Sequence, residues 1–328
     1  MLAALAAGAV AALGVHYTHR SHKLSQRQFE QTQDQFKLAQ DQFAHTQTKD
    51  RQQAEQTREG QVTERYVEAI KLLGSSNATE RLGGIYSLER IMRDSAKDHD
   101  TVVEVLSSFV RLHAPAPLKS TCEELDSKPR VDEHVQAAIT VLGRRPVRDE
   151  GERRIDLRRT DLRGADMEML RFDRALLDNA FLDRASLEGA SFCEARLHHA
   201  SIRGALLCSI DFTRAGMTGV RLNGSRLWNS DFSSAMLVMA DLTDADLTDA
   251  EFGGANMDRA LLECAVLFDV FEDRDARFVY QVDGLQVSQI AEALVYETTR
   301  LPPEFAGDPR IKARIVECEA ERAERVRS

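Results

Sequence analysis

From Ile155 to Asp269 the chain repeats every five residues without one insertion. Counting from Leu157 in steps of five gives 23 positions, ending at Leu267, and all 23 are Leu, Ile, Met or Phe. Two residues before each of these centres the side chain is Ala in 16 of 23 cases, and otherwise Ser, Thr, Val, Ile or Leu. A helix turns in 3.6 residues and a strand alternates in two, so neither sustains an apolar period of five. A solenoid does, because each repeat meets only its neighbours along one axis.

A second period lies beneath the first. Phe occupies the centres at 172, 192, 212, 232 and 252 and no others, a spacing of twenty residues or four pentads. Side chains twenty apart therefore share one environment. The simplest geometry is a four-sided coil with one pentad per side and the Phe rings stacked along one wall. Coils should follow one another at about the strand spacing of 4.8 Å. The residue before each centre and the two after it then face solvent. Asp recurs before the centre, as at Asp156, Asp161, Asp166, Asp241 and Asp246. Its expected role is a bond to nearby backbone at the corners, not catalysis.

The run IDLRR TDLRG ADMEM LRFDR through ADLTD ADLTD AEFGG ANMDR resembles the pentapeptide-repeat family, whose pattern is A-(D/N)-L-x-x. The resemblance covers 155–269, about a third of the chain. It implies a right-handed quadrilateral β-solenoid with an α-helical N-terminal region, and no shared enzymatic activity. The stretch from Val287 through Pro303 is similar to the short helical tail that closes such solenoids. Residues 64–91 and 135–145 resemble the helical module of bacterial membrane-anchored members.

Ahead of the repeats the chain reads as helix. Met1 to Val15 is apolar, followed by His16 and Tyr17, with Arg20, Lys23 and Arg27 behind it and no basic residue in front. Seventeen helical residues reach about 25 Å, against about 30 Å of hydrocarbon. Positive charge behind the segment predicts an uncleaved anchor at 1–17 with the bulk of the chain cytoplasmic, a single-pass cell-membrane protein. A cleaved or simply buried helix is the alternative. In residues 18–61, Phe29, Phe36 and Phe43 recur every seven residues, a helical stripe that suits a coiled coil pairing chains into a homo-oligomer. Thr32, Ala39 and Thr46 are weak at the second seam position, so one long solvated helix is the other reading. Residues 62–113 predict a small helical domain: a helix ended by Gly74, a second capped by Asn77, and a third over Val102 to Val110. Gly83-Gly84 suggests close approach of another helix. Residues 114–154 form a linker with three prolines up to Arg130, and a helix, Val131 to Leu142, suited to cover the open end of the solenoid. Residues 270–328 form a C-terminal cap and helical tail.

Chemistry is scarce. There is no phosphate loop, GxGxxG, HExxH or GxSxG, so no enzyme, cofactor or metal site is expected. Cys122, Cys193, Cys208, Cys264 and Cys318 are odd in number and far apart, which predicts reduced thiols. His198-His199 lacks a ligand set. The net charge of -10 argues against direct nucleic-acid binding.

The outer lattice offers two candidate partner sites. One wall stacks Cys208, Trp228, Thr248 and Phe268, flanked by Leu206 and Val266. Apolar groups on an outer wall suit either an unidentified protein partner or a cover formed by the tail or helical domain. The Phe wall stacks Asp211, Asp231 and Glu251, which suit either a solvated face or a basic partner that would relieve their repulsion. A membrane-tethered interaction scaffold is the function these features suggest. A DNA-mimicking modulator of a type II topoisomerase, a role known in the family, needs a rod acidic throughout. Here residues 155–209 carry 9 acids against 8 bases and residues 210–269 carry 10 against 4.

Overall fold

The computed structural model describes residues 2–117, 131–146, 151, 153–273, 276–282 and 284–327, without the side chains of 2–20, 22, 24–32, 34, 268–281 and 325–327. The chain forms two compact units, residues 1–64 and 65–328. The first is part of one uninterrupted helix, α1 (Leu2–Leu73). Its sequence contains no proline to break the ladder. Its threonines return their hydroxyls to the backbone four residues earlier, as Thr46 Oγ1 does to Gln42 O and Thr57 Oγ1 to Gln53 O, each at 2.8 Å.

Among the described residues no helix is long and apolar enough to cross a membrane. This overturns the expected anchor at residues 1–17, and with it the single-pass cell-membrane location and the membrane as a partner. The physical reason is length. Fifteen apolar residues, Met1 to Val15, rise only about 22 Å as helix. The same helix then runs straight on into His16, Thr18, His19 and Arg20.

In the second unit, residues 65–73 of α1 pack with α2 (Ala78–Asp94), α3 (His99–His113) and α4 (Glu133–Gly143). Asn77 caps α2, its side chain accepting from Thr79 N at 2.9 Å. The glycine pair splits in role. A Cβ on Gly84 would lie 2.7 Å from Leu73 N and 2.8 Å from Ala69 O, whereas one on Gly83 would meet nothing within 4 Å. Ala69, Leu73, Ile85, Leu88, Leu106, Val110 and Ile139 fill the core between these helices. Most of the proline-bearing linker, including Cys122, lies outside the described residues.

α4 covers the first coil of the solenoid. Arg171 N donates to Gly143 O at 2.9 Å, and Asp166 N donates to Gln136 Oε1 at 3.0 Å. A Cβ on Gly143 would fall 2.7 Å from Leu170 Cβ, which explains the one large, half-exposed residue at an otherwise buried companion position.

The repeats wind with a period of twenty. Parallel bridges run unbroken from Asp156↔Leu176 to Asp246↔Val266. Each uses backbone pairs such as Leu157 N to Leu176 O and Leu176 N to Ile155 O, both 2.8 Å. These bridges are one residue long, so the solenoid is a ladder of isolated pairs and not of extended strands. The corner after each centre is a turn closed by bonds such as Ala165 N to Leu162 O at 3.1 Å. The second residue after the centre carries positive φ, from 54° at Arg259 to 70° at Gly254, the signature of a type II turn. All 23 centres are buried. The five Phe rings stack in sequence with centroids 5.4, 5.7, 5.4 and 5.1 Å apart.

At the far end a hairpin of β1 (Phe268–Asp273) and β2 (Ala276–Gln281) leaves the last pentad, pairing Phe268 with Gln281. The chain then returns through α5 (Val287–Glu292), α6 (Pro303–Ala306) and α7 (Pro309–Arg327). Leu294 and Arg300 bridge to Leu261 and Val266, so the tail supplies a final partial coil. Gln289 Nε2 donates to Ala255 O at 2.7 Å, a carbonyl the repeats leave open, and to Phe252 O at 3.1 Å, which also closes the corner turn with Ala255 N. Arg322 holds α7 down through Glu263 at 2.5 Å and lies over the Tyr296 ring.

Candidate interaction surface

The wall with centres Leu187, Leu207, Leu227 and Leu247 presents the proposed apolar column. Leu206 is 41 % and Trp228 43 % exposed, and Cys208 is half-buried between them. The tail from Leu285 to Pro303 does not lie over this wall, because its backbone is spent on the end of the solenoid. Thr248, expected outward, is instead 6 % exposed and turns its hydroxyl to Asp246 Oδ1 at 2.6 Å. The side chain of Phe268 lies outside the described residues, and its backbone belongs to the hairpin. The column is therefore shorter than the lattice alone suggests.

One residue of this wall was not singled out in sequence. Arg226 bridges Leu206 on one side and Asp246 on the other, and is exposed two positions before Trp228. Its guanidinium makes no ion pair among the described residues. Its only signal in sequence is its column, the residue before the centre in the pentad that carries Trp228.

The Phe wall shows its acids in register, with Asp211 bridged to Asp231 and Asp231 to Glu251. Two of these carboxylates have local duties. Asp211 Oδ1 accepts from Thr213 N at 2.8 Å and Asp231 Oδ1 from Ser233 N at 2.7 Å. Asp241 and Asp246 do the same for Thr243 N and Thr248 N at 3.1 Å. The repeated Asp thus caps its own corner, as an Asx turn does. Glu251 makes no such bond and is exposed.

Burial, then Glu188 and Asp246, pushes the Cys208 thiol up, away from the reactive thiolate. Burial and Asp211 do the same at Cys193, and burial does so at Cys318. Cys193, Cys208, Cys264 and Cys318 are all free. Among the described residues no three His, Cys, Asp or Glu groups could hold a metal. The His198 and His199 rings lie against Gly216 and Gly219 of the next coil, where a Cβ would come within 3.0 Å of either ring. A polar groove of about 470 Å³ at the start of the solenoid is lined by Arg111, Asp156, Arg158, Arg159, Asp178 and Asn179. In it Arg158 grips Asp156 through two bonds of 2.9 Å, Arg111 reaches the same carboxylate at 3.3 Å, and Asp178 takes Arg196.

The comparisons with known proteins bear on the repeats. Eight copies of the family model described as pentapeptide repeats match, over residues 171–207, 194–229 and 229–263. No curated protein matches the chain. Similar solved structures include the pentapeptide repeat protein Rfr23 from the cyanobacterium Cyanothece 51142, at 23% identity over 33% of this chain and 62% of that one, with a TM-score of 0.20. HetL, a pentapeptide repeat protein involved in heterocyst differentiation regulation from Nostoc sp. strain PCC 7120, shares 26% over 34% and 60%, with a TM-score of 0.16. QnrB1, a plasmid-mediated fluoroquinolone resistance protein, shares 17% over 48% and 83%, with a TM-score of 0.23. The chain spans less than two thirds of the length of Rfr23 and HetL. Repeat period, bridging ladder and family model agree that residues 171–263 of this chain are pentapeptide repeats.

Proposed function

We propose that this protein is a non-catalytic scaffold that binds another protein through the solenoid wall around Trp228. The observation that carries the reading is the exposure of Trp228, at 43 %, on a wall that the chain's own tail leaves open. Trp and Arg concentrate binding energy at protein interfaces, and Arg226 stands beside Trp228 with Leu206 below. The rod beneath is rigid, since every coil is bonded to the next, so a partner meets a preorganised surface. A DNA-mimicking role finds less support. The acidic column is confined to the second half of the rod, and Asp211 and Asp231 are partly engaged by their own backbone.

The test compares the wild-type chain with Trp228→Ala and Arg226→Ala in affinity capture from the native cell. Both variants should lose the same captured protein at least tenfold while melting within about 2 °C of wild type, as exposed positions do. Emission from Trp228, the only tryptophan, should be red-shifted and readily quenched in the free protein and should shift to the blue with the partner bound. A blue-shifted, protected emission in the free protein, or capture indifferent to both substitutions, overturns the reading. Capture of a topoisomerase lost with Glu251→Lys but kept with Trp228→Ala would favour the acidic wall instead.

A further inference from the structure

The first unit carries three consecutive heptads, SQRQFEQ at 25–31, TQDQFKL at 32–38 and AQDQFAH at 39–45. Each places one Phe, at 29, 36 and 43, between two glutamines: Gln26 and Gln28, Gln33 and Gln35, Gln40 and Gln42. In coiled-coil terms Phe holds one seam position, a small residue (Ser25, Thr32, Ala39, Thr46) the other, and Gln both flanks. Phe36 is 72 % and Phe43 66 % exposed on a helix whose other described side chains here are also exposed. A helix whose remaining faces are polar but for Leu38 has no use for a regular aromatic stripe unless something covers it.

We propose that the stripe is the seam of an antiparallel coiled coil formed with a second copy of this chain. Size decides the orientation. In an antiparallel pair the two seam positions face each other, so layers form between residues whose numbers sum to 75. Phe29 then meets the partner's Thr46, Phe36 the partner's Ala39, and Phe43 the partner's Thr32, with the three reciprocal layers completing a two-fold set. Every layer holds one ring and one small side chain. A parallel pair would set Phe on Phe and Thr or Ala on its like, so that layers alternate between overfilled and underfilled. The flanking glutamines carry no charge that would repel an identical chain or select a different one. Six rings at about 150–200 Å² each bury on the order of 1,000 Å², close to the lower bound of a stable interface before the glutamines are added.

Native lysines report the register. Lys23 and Lys49 are 26 residues apart, about 39 Å along one helix. In the antiparallel register the partner's Lys49 sits opposite residue 26, about 4.5 Å along the axis from Lys23. The full-length chain should sediment as a dimer, and a short amine-reactive cross-linker should yield a Lys23–Lys49 peptide. Phe36→Glu should return a monomer and abolish that peptide while leaving the melting of the repeat domain unchanged. A wild-type monomer overturns the proposal. So does a dimer that cross-links Lys23 to Lys23 and Lys49 to Lys49, which is parallel, or one that persists in Phe36→Glu, which pairs elsewhere.

Discussion

Phe212 is the middle ring of the stack, and its truncation tests the solenoid directly. It is fully buried, with Phe192 at 5.7 Å and Phe232 at 5.4 Å on either side. Removing a buried Phe side chain costs about 3–5 kcal/mol through lost burial and the cavity left behind. Of this, two ring contacts at about 0.5–1.5 kcal/mol each are specific to the stack. Phe172 is equally buried but has one ring neighbour, at 5.4 Å. Phe212→Ala should therefore destabilise by about 4 kcal/mol, and Phe172→Ala by about 1 kcal/mol less. Phe212→Leu keeps most of the apolar volume and should lose about 1–3 kcal/mol, the ring contacts alone. The assay is urea unfolding followed by far-ultraviolet dichroism and by Trp228 emission. A loss below about 1 kcal/mol for Phe212→Ala, or equal losses at 172 and 212, would refute a continuous ring stack.

Two further outcomes concern the helical part of the second unit. Gly84→Ala drives a methyl into the backbone of α1 at Leu73 and should cost about 1–3 kcal/mol, whereas Gly83→Ala, in open space, should gain up to about 1 kcal/mol from helix propensity; thermal melting of the two variants in opposite directions is the expected result. His134 is 7 % exposed and accepts from Arg81 Nη1 at 3.1 Å, packed edge-on to His113 with Asp132 at 4.0 Å. Burial first, then Arg81, holds its imidazole below the ordinary value, with Asp132 opposing and His113 adding. The folded state thus prefers neutral His134 and the unfolded chain takes the proton first, so this stability is present above about pH 6.5 and is lost as pH falls below it. Melting temperatures from about pH 8 to about pH 5 should fall more steeply for wild type than for His134→Gln, and a wild-type chain that gains stability on acidification would contradict the assignment.

The period of five and the superperiod of twenty specify the solenoid from the sequence alone. Each pentad is one structural unit, and its partner is set by count: residue 172 must meet 192 whatever the rest of the chain does. The cap of α2 at Asn77 and the inward Ala columns are legible for the same local reason. The left-handed corner is written in the sequence as well. Gly164, Gly189, Gly204, Gly219, Gly224 and Gly254 all fall two residues after a centre, where φ is positive. What local counting could not supply is contact between segments far apart in the chain. Whether Trp228 is covered depended on where the tail spends its hydrogen bonds, and Gln289 and Arg300 spend them on the end of the rod. Gly83 and Gly84 look alike in sequence, and only the line of α1 separates the one that must be glycine from the one that need not. The anchor expected at residues 1–17 came from a local charge rule applied to an apolar run that is too short and passes unbroken into a polar helix. Leu170 reads as a fault in the Ala column until α4 is in position, where Gly143 leaves the space that the larger side chain fills. Short-range periodicity is written residue by residue, while the choice of what covers an end or a wall is settled by packing between distant segments.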